Sequence, residues 1–174
     1  MVSMKIRPEW DVYDLDSLLE EDELMVREQV RAWIDEGLMP GVPTHWENGT
    51  FPSELIAEMG EMGMFGPTVA EEYGGAGMNS VVYGLICQEL ERCDSGVRSF
   101  VSVQGSLVMY PIEAFGSEEQ KREWLPQLAS GAKIGCFGLT EPDAGSNPGG
   151  MLTRCKRDGD DWIITGRKMW ITNG

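Results

Sequence analysis

The chain has 174 residues, 41% hydrophobic and 25% charged, which suits one globular domain or slightly more and excludes a disordered or collagen-like body. Fourteen Lys and Arg against 29 Asp and Glu give a net charge of −15. This argues against a nucleic-acid backbone or an anionic membrane as partner, since cations drive both kinds of binding, but leaves small anionic ligands open. Residues 1–20, with Pro8, read as a leading arm. Over 22–38, Val26, Val30, Trp33 and Ile34 fall at i, i+4, i+7 and i+8, one apolar helix face. The acidic run 19–24 reads as a solvated helix start favoured by the helix dipole, and Pro40 and Gly41 stop the helix. Residues 40–50 read as a loop holding His45. Pro52 then opens a short helix with Leu55, Ile56, Met59 and Met62 on one face.

A glycine-rich loop follows from Gly66, and Asn79 or Ser80 caps a helix over 81–93. Residues 97–115 form another helical stretch, interrupted at Pro111. Ser117 and Gln120 make a capping box for a helix reaching about residue 131. Past Ala132 the period changes, and 134–140, 151–157, 162–166 and 168–172 read as strands. Asp158-Gly159 supplies a hairpin turn between the second and third. The fold class is therefore α+β, with helices and strands segregated along the chain. Four short strands leave an open edge, and a chain that stops just after an apolar strand reads as cut short.

Four cysteines without a CxxC pair, and the single His45, give no usual zinc set, and no metal site is expected. We read the thiols as reduced, in a cytosol-like compartment. Residues 1–10 do not read as a secretory leader, and the longest apolar run, near Val81 to Cys87, is too short to span a bilayer. The acidic residues Asp158, Asp160 and Asp161 lack the spacing of a calcium loop.

The segment CFGLTEPDAGSNPGG, residues 136–150, ends a predicted strand at Thr140 and continues as a loop rich in Gly, Asp, Ser and Asn. Such a loop can aim backbone N–H groups at an anion or a heteroaromatic edge; a plain hairpin connection is the simpler reading from physics alone. Its spacing matches neither the dinucleotide nor the P-loop glycine pattern.

GLTEPDAGS, followed after two strands by KMWITNG, resembles the flavin-binding signature of acyl-CoA dehydrogenases. EMGEMGMFGPT, YGGAG, LICQELERCDSGVRS and GSEEQKREWLPQLASG resemble the helical half of that family. Within it, ELERCDSGVRS, SVQGSLVMYPI and FGSEEQKREWLPQLASG most closely resemble glutaryl-CoA dehydrogenase. The resemblance implies an arm over 1–20, the helical N-terminal domain over 21–132, and the first strands of a β-barrel-like middle domain over 133–174. It implies FAD as cofactor. Phe137, Gly138, Leu139 and Thr140 match the strand against the flavin edge, where donors stabilise negative charge on the reduced ring. Gly145 and Ser146 match loop positions reaching the flavin phosphate side and the CoA arm, and Gly145 has no Cβ to obstruct a ligand. Trp170, Ile171 and Thr172 match a second flavin contact. The family's Gly-Ser-Asp is here Gly145-Ser146-Asn147, so any electrostatic bracing by that Asp is weaker.

For the substrate, Arg98 matches the arginine facing the distal carboxylate of a glutaryl group, with Ser99 and Ser102 as hydroxyl donors and Glu91 as a carboxylate near the same pocket. A monocarboxylic chain would leave such a cation buried and unpaired. Without the resemblance, Arg98 and Glu91 read as surface charges on helices. The implied reaction is α,β-desaturation of an acyl thioester, with loss of carbon dioxide from glutaryl-CoA to give crotonyl-CoA and electrons passed to electron-transfer flavoprotein. The family's catalytic base is a Glu in a C-terminal helical domain, expected beyond residue 174, and the family is homotetrameric. The compartment implied is the cytoplasm of a bacterium or the mitochondrial matrix of a eukaryote. The alternatives are a short- or branched-chain acyl-CoA dehydrogenase, or a non-catalytic fragment that acts as a binding module.

Overall fold

The computed structural model describes residues 12–174. Pro8 and most of the predicted arm lie outside the described residues. Helix α1 (Glu21–Trp33) runs on through one wide turn, Ile34–Leu38. Its acidic start is not simply solvated. The Glu20 amide donates to Glu23 Oε2 at 3.0 Å, closing a capping box, and Glu23 is buried. The other Glu23 oxygen accepts from Asn79 Nδ2 at 2.7 Å. Asn79 in turn caps α4 (Ser80–Cys93), its Oδ1 accepting from the Val81 and Val82 amides. One carboxylate therefore joins the starts of α1 and α4, which pack along each other.

Residues 40–50 are not all loop. Val42–Asn48 forms α2, with Pro43 in its first turn and Gly49 ending it at φ +62°. This helix carries no buried residue, so it shows no apolar period to detect. His45 sits on it, with Nδ1 2.9 Å from Thr50 Oγ1 and Nε2 3.2 Å from a Glu54 carboxylate oxygen. Pro52 precedes a 3-10 turn, and α3 (Ile56–Glu61) starts only after it.

The predicted helix over 97–115 begins at Ser95. Asp94 caps α5 (Ser95–Ser102) by accepting from the Val97 amide. The helix then widens over Val103–Met109 before α6 (Tyr110–Phe115), which holds Pro111 in its first turn. A proline lacks its N–H and crowds the carbonyl one turn back. Here the strain is absorbed upstream as wide turns instead of a break. The capping box of Ser117 and Gln120 opens α7 (Glu118–Ala129) as expected. The core between these helices includes Ile34, Met59, Phe65, Leu90, Val101, Met109 and Leu125, all fully buried.

Glu89 and Gln104 are among the charged and amide groups buried here. Glu89, 1% exposed, accepts both Arg31 Nε and Nη2 and also Arg92 Nε, while Arg92 reaches Asp35 at 2.6 Å. The carboxylate is thus fully engaged, as a buried charge requires. Gln104, in the wide turns, has no exposed surface. Its Nε2 donates to the carbonyls of Leu128 and Lys133, and its Oε1 accepts from the Gly135 amide at 2.9 Å. This side chain ties the end of α7 and the following link to α5.

Two of the four predicted strands form. β1 (Arg154–Asp158) and β2 (Asp161–Thr165) pair antiparallel, Arg154 opposite Thr165 and Asp158 opposite Asp161. The turn is centred on Gly159-Asp160, one residue later than predicted, with Gly159 at φ +64°. The stretches 134–140 and 168–172 are not strands. One ladder-like bond, from the Met169 amide to the Thr140 carbonyl at 2.9 Å, joins them, and a strand needs a run of such bonds along a neighbour. The chain instead turns at its end, and Asn173 Nδ2 donates to the carbonyls of Phe100 and Gly135.

Replacing Gln104 by Leu keeps the volume but leaves the Lys133 carbonyl and Gly135 amide without partners. Urea unfolding of Gln104→Leu is expected to show a loss of about 2–4 kcal/mol; a loss within experimental error would contradict the clamp.

Candidate functional site

The predicted site residues fall in two groups, both tied to α5 and the wide turns after it. The first is the stretch 137–141. Phe137 and Leu139 are exposed. Most carbonyls here are taken: Phe137 O by the Leu139 amide, Leu139 O by Lys168 Nζ, Thr140 O by the Met169 amide and Glu141 O by the Ala144 amide, while Gly138 O accepts from no group among the described residues. The amides of Phe137, Gly138 and Thr140 donate to no group among the described residues. The segment thus presents an edge of donors, the arrangement that suits the acceptor atoms of a flavin ring. Past it, a Cβ built on Gly145 meets nothing within 4 Å, and Ser146 is exposed, so this loop leaves room for a ligand. Both observations fit a bound flavin. Asn147 opens a short 3-10 turn, its carbonyl accepting from the Gly150 amide, so it braces the loop through its backbone.

Trp170, Ile171 and Thr172 lie in a turn, where the sequence predicted a strand. Trp170 has φ +58° and is 85% exposed. A bulky residue in the left-handed region is costly and points to a functional constraint. Its backbone is fixed on one side by Met169 on Thr140 and on the other by Asn173 on α5 and Gly135. The indole is held outward, open to a flat ligand.

The sequence offered no signal for the group that organises this region. Glu141 is 5% exposed. Its carboxylate accepts from the Leu152 amide at 2.6 Å, the Thr153 amide at 2.9 Å and Lys168 Nζ at 3.0 Å. The Thr153 side chain, the Leu152 amide, Lys168 and the Thr153 amide together hold its carboxyl down from 4.5 to about 2. Engaged by three donors and held this low, the carboxylate is poorly suited to general-base work near neutral pH.

The second group is on α4 and α5. Arg98 donates from Nε to Glu91 Oε2 at 2.6 Å and from Nη1 to Ser102 Oγ at 3.2 Å. Ser102 donates to the Ser99 carbonyl, and Ser95 Oγ donates to Glu91. The Ser95 hydroxyl and Arg98 both hold the Glu91 carboxyl low, and Glu91 raises the Arg98 guanidinium. Arg98 is therefore not the unpaired cation that the sequence suggested. It is paired along one edge and about one-third exposed, and Nη2 donates to nothing among the described residues. Glu91 also borders a cleft of about 620 Å³ with His45, Phe51, Cys93 and Asp94. Ser99 contributes its carbonyl to this cluster; no hydrogen bond of its hydroxyl occurs among the described residues.

The helical residues 20–132 match the acyl-CoA dehydrogenase N-terminal domain, and residues 136–174 match the acyl-CoA dehydrogenase middle domain. The chain belongs to the acyl-CoA dehydrogenase family. It is 37% identical over 155 residues to the mitochondrial short-chain specific acyl-CoA dehydrogenase of Bos taurus, covering 89% of this chain and 38% of that protein. It is 40% identical over 156 residues to the probable acyl-CoA dehydrogenase YngJ of Bacillus subtilis, covering 89% and 41%. Among solved structures, the glutaryl-CoA dehydrogenase of Mycobacterium smegmatis in complex with FADH2 superposes with a TM-score of 0.89 at 58% identity, covering 92% of this chain and 42% of that one. The chain spans about 40% of the length of the curated acyl-CoA dehydrogenases it matches.

Above pH 4.5 Glu141 is ionised both folded and unfolded, and its contribution to stability is complete. As pH falls from 4.5 towards 2 the unfolded chain takes up the proton first, and the contribution is lost. Urea midpoints measured between pH 2 and 6 are expected to fall less steeply on the acid side for Glu141→Gln than for the parent. Parallel curves would show that Glu141 is not held ionised by these partners.

Proposed function

We propose that the protein carrying this chain is an FAD-dependent glutaryl-CoA dehydrogenase, built from a helical domain over 21–132 and a middle domain starting at 133. The observation that carries this reading is the Arg98 cluster. Arg98 is the cation on α5, it stands beside Ser102, and its Nη2 edge is free to take a carboxylate. The 58% identity to the Mycobacterium smegmatis glutaryl-CoA dehydrogenase supports it, against 37% to the bovine short-chain protein.

In this reading the amides of Phe137, Gly138 and Thr140 donate to the flavin edge, and the Trp170 indole packs against the ring system. Gly145 and Ser146 border the phosphate side and the CoA arm. Bound FAD supplies the acceptor for the β-hydride. The α-proton goes to a carboxylate base that we place in the C-terminal helical domain of the full-length family, since Glu141 is too weak a base and Glu91 is committed to Arg98 and Ser95. Arg98 holds the distal carboxylate through its Nη edge while Glu91 keeps Nε oriented. After desaturation the bond to that carboxylate breaks, carbon dioxide leaves, and its electron pair takes a proton at the γ-carbon to give crotonyl-CoA. Electron-transfer flavoprotein is the proposed electron acceptor, and a homotetramer the proposed assembly. Among the described residues no helix is long and apolar enough to cross a membrane.

A second reading, a dehydrogenase of short or branched monocarboxylic acyl-CoA, is favoured by the same ion pair. With Glu91 already on Arg98, a neutral chain end leaves no naked charge. The two readings separate on one substitution in the full-length protein. Arg98→Met is expected to lower kcat/KM for glutaryl-CoA by about a hundredfold and to leave butyryl-CoA nearly unaffected. Equal losses on both substrates would overturn the glutaryl assignment.

A further inference from the structure

Glu141 and Lys168 lie 27 residues apart, yet they form one junction under the candidate flavin surface. Lys168 Nζ contacts three groups on two segments: Leu139 O at 3.0 Å, Glu141 Oε1 at 3.0 Å and Met151 Sδ at 3.3 Å. Glu141 adds the Leu152 and Thr153 amides, at the root of the β1–β2 hairpin. The packing around them is close. A Cβ on Gly166 would lie 2.1 Å from Thr153 Oγ1, and one on Gly138 would lie 3.4 Å from Lys168 Cγ. The only main-chain bond between the two stretches that face the ligand is that from Met169 to Thr140. One such bond fixes a distance but not an angle.

We propose that the Glu141–Lys168 pair is a positioning device for the flavin, fixing the donor edge at 137–140 relative to Trp170 without touching the ligand. The inference rests on the flavin reading above. Lys168 has its charge met by Glu141 and its other contacts made to a carbonyl and a thioether, so it is not a cation offered to an anionic ligand. By occupying the Leu139 carbonyl it also removes one acceptor from the edge, where the amides of Phe137, Gly138 and Thr140 stay open among the described residues.

The two roles for Lys168 predict opposite results. Were Lys168 a direct anion ligand, Glu141→Gln would free the cation and tighten FAD binding. As a positioning pair, either loss loosens it. The test is the FAD dissociation constant of the full-length protein, measured by reconstituting apoprotein, together with the visible circular dichroism of the bound flavin. Glu141→Gln and Lys168→Met are each expected to weaken FAD about tenfold. The double variant is expected to be no worse than about threefold beyond the weaker single, because the two residues act as one unit. The dichroic bands should change shape in all three. Lys168→Arg, which keeps the charge, should recover most of the affinity, and this comparison stands even where Glu141→Gln fails to fold. Tighter binding by Glu141→Gln, binding within about twofold of the parent in both single variants, or weaker binding with unchanged dichroism would each overturn the inference. Absence of FAD uptake by the parent protein would instead overturn the flavin reading itself.

Discussion

Everything after α7 depends on one buried side-chain amide. Gln104, itself without exposed surface, holds the Leu128 and Lys133 carbonyls and the Gly135 amide. Burying a primary amide is favourable only when its groups are met, so the link from helices to strands has essentially one course past α5. Asn173 makes the matching attachment from the far end of the strand region, on Phe100 and Gly135. The Arg98 cluster and the stretch 137–140 are thereby both fastened to one continuous helical segment.

The buried carboxylates obey the same rule at higher cost. The chain is strongly anionic overall, yet its buried carboxylates are each engaged by cations or amides: Glu89 by two arginines, Glu23 by a cap and an asparagine, Glu141 by a lysine and two amides. The acidic excess therefore sits on the surface. An anionic substrate approaches against that general field and must be captured by local groups, of which Arg98 and the unpaired amides at 137–140 are the candidates.

Much of the helical half was legible in the sequence because its signals are local. The apolar stripe of α1, the Asn79 cap and the Ser117–Gln120 box are short-range features with fixed spacing. Helix α2 was missed because only Val42 packs against the core, which leaves no repeating apolar pattern. The strand region was only half legible. The Asp-Gly dipeptide announced the hairpin, though the turn closed one residue later. The stretches 134–140 and 168–172 have strand composition, but strands are made by neighbours, and one hydrogen bond between them is too few. In the candidate site, the motif residues were singled out by resemblance alone. The Glu141–Lys168 junction and the Gln104 clamp were not, since both join residues far apart in the chain. The Arg98–Glu91 pair shows the converse: both residues were picked out, but their spacing of seven across a helix boundary concealed that they meet.

If Arg98 takes a distal carboxylate as proposed, that pairing changes what the binding costs in conformational entropy. A free arginine on a helix samples many rotamers, and freezing a long side chain on binding costs about 0.5–1.5 kcal/mol. Arg98 is already held at Nε by Glu91 and at Nη1 by Ser102. An anion arriving at Arg98 would meet a guanidinium already held at two nitrogens, with Nη2 left to take it.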